Sequence, residues 1–124
     1  MGSSAFIDAE KAESLVSLCR TTVGDTLRSV TYFTPGGFEQ VYLRSDLERD
    51  ADLSGFVQAE TEGFRTLTDY GSDELGEYGY TIRRFENGYV TRVTGDEEGV
   101  FVTTDNLTMY GAEEVAAALR QVLE

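Results

Sequence analysis

Five of the ten basic residues fall on or beside β-rich segments: Arg28, Arg44, Arg83, Arg84 and Arg92. Tyr32, Tyr42, Tyr78, Tyr80 and Tyr89 accompany them. A guanidinium meets carboxylates and phosphates through two parallel hydrogen bonds, and a tyrosine ring both stacks and hydrogen-bonds. Strand alternation sets Arg28 with Val30 and Tyr32 on one face, and Tyr78 with Tyr80, Ile82 and Arg84 on one face. Such a surface suits an acidic partner, an anionic ligand or a partner sheet. The plainer alternative pairs these arginines with acids of neighbouring strands and overlying helices.

Catalytic chemistry is poorly served. The chain has no histidine, so the usual acid–base group of neutral pH and any His-based triad are missing. The single cysteine, Cys19, lies on an apolar helical stripe and reads as a buried structural thiol; one cysteine also excludes an internal disulfide. Asp46, Glu48, Asp50 and Asp52 alternate in one short segment, a spacing that offers oxygen ligands to a divalent cation. Leu53 and Ser54 stand where the calcium-loop pattern needs its glycine, so the run reads as solvated surface. Asp96-Glu97-Glu98 reads the same way. Asn106-Leu107-Thr108 matches a glycosylation acceptor, but here it serves better to start a helix. No catalytic residue, cofactor site or metal site is therefore assigned.

The net charge is −13, from 23 acids and 10 bases, over 124 residues. All but one of the bases are arginine, the exception being Lys11. An acidic, lysine-poor, threonine-rich composition suits a salt-saturated cytoplasm, where a Debye length of about 3 Å screens self-repulsion. It disfavours nucleic acid, which selects a basic footprint. No apolar run reaches the roughly 18 residues of a membrane span. The expected setting is a halophilic cytoplasm, away from the membrane. Stability is then expected to rise steeply between dilute buffer and about molar KCl. Thermal melts across a salt series test this, and a flat melting temperature would refute it.

The elements that must position these residues follow from pattern. Asp8 caps a helix over about 9–22, with Leu15, Val16, Cys19 and Val23 at three-to-four spacing and Gly24 as the stop. Leu27–Thr34 and Phe38–Leu43 flank Pro35-Gly36-Gly37 and read as a β-hairpin. Ser45-Asp46-Leu47-Glu48 matches a capping box before a middle helix near 53–62. Tyr78–Phe85 and Tyr89–Thr94 flank Glu86-Asn87-Gly88, where Asn-Gly signals a second hairpin. Val100–Thr104 is a further strand, and a helix over about 112–123 closes the chain on Val115, Ala118, Leu119 and Val122. The expected core is Leu15, Cys19, Phe33, Val41, Leu43, Phe56, Ile82, Val93, Val102, Leu119 and Val122. The length suits one domain over 1–124, with 1–7 as a flexible lead-in.

This order, α-β-β-α-β-β-β-α, predicts an α+β fold: a five-stranded antiparallel sheet with helices on its faces. Across the whole chain the topology resembles the roadblock (dynein light-chain) and profilin-like folds, and more loosely the GAF sensor domains. The stretches SLCRTTVGDTLRSVTYF, ELGEYGYTIRRFENGYVTRV and GVFVTTD resemble an uncharacterised family of small acidic haloarchaeal proteins. The roadblock resemblance implies a non-catalytic interaction or scaffold module that homodimerises through an edge strand and the middle helix and serves another protein partner. Its interface would draw on Tyr78, Tyr80, Ile82, Arg83 and Arg84, with Glu60 and Glu62 meeting the arginines across a two-fold axis. The alternative is a small-molecule sensor with a pocket of several hundred Å³ between sheet and helices.

Overall fold

The computed structural model describes residues 7–48, 51, 79–95, 97–106 and 108–123. The first helix, α1, runs Ala9–Val23 and is followed by a single 3-10 turn, Gly24–Thr26. Asp8 caps it: its carboxylate accepts the Lys11 backbone N–H at 2.8 Å. Gly24 ends it at φ 61°, in the left-handed region that glycine adopts without strain. Strands β1 (Leu27–Thr34), β2 (Gly37–Leu43), β3 (Tyr80–Phe85), β4 (Gly88–Thr94) and β5 (Gly99–Asp105) follow, and α2 (Met109–Leu123) closes the described chain. The last helix starts three residues earlier than its apolar stripe suggests, because the Thr108 hydroxyl accepts the Gly111 N–H at 3.0 Å and caps it.

The fold is α+β. Its five strands form one antiparallel sheet in the order β2-β1-β5-β4-β3. Both helices pack on one face, over a core of Leu15, Cys19, Val30, Val93, Val100, Val102, Val115 and Leu119. The opposite face carries Phe33, Val90 and Phe101, equally buried, with the Phe33 and Phe101 rings 6.3 Å apart. Ser29, Thr31, Arg92 and Thr103 are buried as well. Of the expected core, Val41, Leu43, Ile82 and Val122 are only half-buried. The first three sit on the edge strands β2 and β3, and Val122 is in the last turn of α2, where fewer neighbours exist to cover them. Phe56 and the expected middle helix lie outside the described residues.

Two glycines are required by close approach rather than by a turn. The second hairpin turns on Glu86-Asn87 alone, and Gly88 is already the first residue of β4, paired with Phe85. A Cβ on Gly88 would lie 2.1 Å from the Thr104 carbonyl oxygen of β5. Gly99 opens β5 opposite Phe33, and a Cβ there would lie 2.3 Å from the phenyl ring.

Candidate functional site

Among the described residues the sheet ends on β2 and β3, and these two edges differ. On β2 the register slips between Val30–Tyr42 and Thr31–Gln40, leaving Val41 as an extra residue. Such a bulge twists an edge away from further pairing. On β3 the register with β4 is unbroken from Tyr80–Val93 to Phe85–Gly88. A regular edge strand presents an uninterrupted row of backbone donors and acceptors.

The β3 edge is where the structure gathers most of the sequence's candidate residues. Tyr80 lies opposite the core residue Val93 and packs against the helix-side core. Alternation therefore sets Tyr80, Ile82 and Arg84 together on one face, which is the helix side, and Thr81, Arg83 and Phe85 on the other. Tyr80, Thr81 and Ile82 are half-buried, and Arg83, Arg84 and Phe85 are exposed. Tyr78, Glu60 and Glu62 lie outside the described residues. Phe85, 47% exposed at the end of this strand, escapes a sequence reading because nothing in its type tells an edge phenylalanine from a core one. Met109 and Tyr110 at the start of α2 are exposed too. Asn106, just before them, donates to the Glu86 carbonyl at 3.3 Å and ties that end of the molecule to the β3–β4 turn.

The other strand arginines are structural. The Arg44 guanidinium bonds Asp105 at 2.6 Å, Asp46 at 2.6 Å and the Asp25 carbonyl at 2.8 Å. It joins the end of β2 to the end of β5 across β1. Its hydrogen bonds hold the Asp105 and Asp46 carboxyls below the usual range. Arg28 adds a looser contact to Asp105 at 3.6 Å. The expected grouping of Arg28 with Val30 and Tyr32 fails as a simple alternation, because the β1–β5 register shifts between Leu27 and Ser29. Arg92 is 3% exposed and donates to the Thr81 hydroxyl at 3.0 Å.

Among the acids of the second turn, Glu98 has specific partners. Its carboxylate accepts from Lys11 at 2.5 Å and from the Tyr32 hydroxyl at 2.7 Å, and Lys11 sits 5.5 Å from the Tyr32 ring centroid. The single lysine of the chain thus fastens α1 to the β4–β5 turn. Burial, then the bond to Glu98, raises the Tyr32 pKa well above the ordinary tyrosine range. A raised pKa adds stability that is present below the unfolded value of about 10 and is lost as pH climbs beyond it. Glu98→Ala removes the acceptor shared by half-buried Lys11 and buried Tyr32, and a loss of about 2 kcal/mol is expected in denaturant unfolding. Glu98→Gln, which still accepts from Tyr32, is expected to lose about half as much.

Cys19 is fully buried, and burial pushes its thiol up to about 12. It is expected to resist alkylation at pH 8 in the native protein and to react within minutes once unfolded, as mass spectrometry would show. Among the described residues no group of three or more acids or thiols is placed to hold a metal ion. No described helix is long and apolar enough to cross a membrane.

A cleft and a groove are lined by described residues. A cleft of about 440 Å³ lies beside the β3–β4 turn, between Phe85, Asn87, Val90, Thr103 and Arg28. A groove of about 600 Å³ runs between Ala12, Val16 and Arg20 of α1 and Val41 of β2. The cleft is at the turn end of the sheet, whereas the groove lies between α1 and the β2 edge of the sheet.

This layout, an antiparallel five-stranded sheet with its first and last helices side by side on one face, is the roadblock/LC7 fold. The structure is similar to gliding protein MglB from Thermus thermophilus, with TM-score 0.64 and 12% identity over 99% of this chain and 98% of that one. An MglB structure with a tetrameric arrangement matches with TM-score 0.59 and 12% identity, covering 99% and 97%. A Roadblock/LC7 domain from Streptomyces avermitilis matches with TM-score 0.53 and 15% identity, covering 86% and 92%. Identities this low carry the fold and nothing of the chemistry. By sequence, the chain belongs to the family described as Domain of unknown function (DUF7522), matched over residues 13–124. No curated protein matches it.

Proposed function

We propose that the protein is a non-catalytic interaction module that pairs with a second copy of itself through the β3 edge and serves other proteins as a scaffold or regulatory adaptor. The observation that carries this reading is the contrast between the two edges: β2 is bulged at Val41, whereas β3 is regular and bears tyrosine, isoleucine and arginine. Tyrosine and arginine are enriched at protein interfaces. In this reading Tyr78, Tyr80 and Ile82 supply contact, and Arg83 and Arg84 meet acids such as Glu60 or Glu62 across a two-fold axis. The rest of the surface is that of an acidic protein of a halophilic cytoplasm, repelling nucleic acid and other anionic polymers.

Light scattering coupled to size exclusion in about molar KCl tests the proposal. Twice the chain mass at micromolar concentration is the expected result, and one chain mass would refute it. The second reading, a small-molecule sensor, is favoured by the cleft beside the β3–β4 turn, whose volume falls in the range of ligand sites. It is tested by native mass spectrometry of protein taken directly from its host, where a retained small molecule would support it.

A further inference from the structure

We infer that the cleft beside the β3–β4 turn binds a small aromatic carboxylate, with Arg28 holding the carboxylate and Phe85 stacking on the ring. This rests on the second reading above, in which that cleft takes a small molecule, and is independent of self-pairing.

The cation is placed by a bulge. Leu27 and Ser29 of β1 pair with Thr104 and Thr103, which are adjacent on β5, so Arg28 is the extra residue between them. A bulge re-aims the side chain that the ladder leaves over. Here that side chain lines the cleft together with Val90 and Thr103, which face each other across the β4–β5 ladder. Arg28 touches Asp105 through Nη1 at 3.6 Å, whereas Arg44 holds the same carboxylate at 2.6 Å. An incoming carboxylate therefore draws the Arg28 guanidinium away without leaving Asp105 unpaired. The planar fork of a guanidinium matches a carboxylate with two parallel hydrogen bonds.

The apolar part has its own walls. Val90 and Thr103 form the floor, and the Thr103 hydroxyl is already bonded to Ser29 at 2.5 Å, so the floor asks no hydrogen bond of a ligand. Phe85 closes the far end, a ring 47% exposed to water beside that floor. The turn that follows it is held on two sides. Asn106 donates to the Glu86 carbonyl at 3.3 Å, and Gly88 lies too close to the Thr104 carbonyl for any side chain.

Spacing sets the shape of the ligand. Arg28 belongs to β1 and Phe85 to β3, with β5 and β4 between them, so their backbones stand about 14 Å apart. The ligand therefore carries its charge at one end and its ring at the other, and a cleft of about 440 Å³ has room for it. A small inorganic anion would meet Arg28 beside Glu86, in the field of a chain of net charge −13, with no apolar contact to offset the repulsion. A cationic ligand would face Arg28 itself.

Titration of the isotope-labelled full chain with hydrocinnamate, followed by backbone amide NMR shifts in about molar KCl, tests the proposal. Saturable shifts are expected at Arg28, Asn87, Gly88 and Thr104. Hydrocinnamide keeps the ring without the charge, and acetate keeps the charge without the ring. Each is expected to bind at least about tenfold more weakly. Arg28→Gln and Phe85→Ser are each expected to weaken hydrocinnamate by at least about tenfold. Asp105 keeps Arg44 in Arg28→Gln, so that variant is expected to fold; should it not, Phe85→Ser and the two control probes still decide. Equal binding of hydrocinnamide would overturn Arg28 as the anchor, and equal binding of acetate would reduce the site to an adventitious ion only. Hydrocinnamate shifts confined to other parts of the chain, or none that saturate, would overturn the proposal. A molecule of another class retained in native mass spectrometry would then leave the second reading standing without this ligand, and no retained molecule would overturn both.

Discussion

Ile82→Asp is expected to leave a folded monomer. The side chain is half-buried at the β3 edge, and its strand neighbours on the same face are Tyr80 and Arg84. Within one chain the substitution removes part of an apolar contact, so the fold is expected to survive with a loss near ~1 kcal/mol. Across a two-fold axis every change is counted twice. Two partly covered isoleucines are lost, and two carboxylates are brought within several ångströms of each other in partial burial. The combined penalty is about 4 kcal/mol, or roughly a thousandfold in Kd. Light scattering should therefore report one chain mass at micromolar concentration, while far-ultraviolet circular dichroism stays unchanged. Ile82→Val, which keeps the apolar contact, is expected to remain dimeric. A dimer unaffected by Ile82→Asp would show that β3 is not the interface.

Phe33→Ala and Gly99→Ala are each expected to destabilise the fold strongly, and together by less than their sum. Phe33 is fully buried against Phe101 and Val90, and faces Gly99 across the β1–β5 ladder. Truncating it to alanine opens a cavity on that face of the sheet, at a cost of about 4 kcal/mol. Gly99→Ala drives a methyl group to 2.3 Å from the phenyl ring, which cannot swing aside while Phe101 packs against it. Overpacking of this kind costs about 3 kcal/mol. In the double variant the new methyl group enters space that the ring has vacated, so a coupling of about 2 kcal/mol is expected from urea unfolding of the four proteins. Simple additivity would mean that the ring and the glycine do not share that space.

Much of this fold was legible from residue order. Asp8 and Gly24 bound the first helix as their cap chemistry requires, and the β-rich runs became strands within two residues of their expected ends. The glycines were legible as punctuation but misleading as to cause. Glu86-Asn87-Gly88 reads as the turn, yet Gly88 belongs to β4, where the β5 backbone comes too close for any side chain. That contact spans strands and leaves no trace in the local pattern. Arg44 and Arg84 illustrate the same limit. Both accompany β-rich runs, Arg44 just after β2 and Arg84 within β3, but one clamps Asp46 and Asp105 and the other stands exposed on an edge.

Sequence alone therefore settles the kind and order of the described elements, the acidity of the composition and the lack of histidine chemistry. These depend on periodicity, capping and composition, which act within a few residues or over the whole chain at once. Only the tertiary structure decides which strands become edges, that β2 is bulged while β3 is regular, and that Glu98 among its acidic neighbours binds Lys11 and Tyr32. Those outcomes depend on pairing between segments as many as 87 residues apart. Such pairing is set by the packing of the whole sheet against its helices, and no short window of sequence contains it.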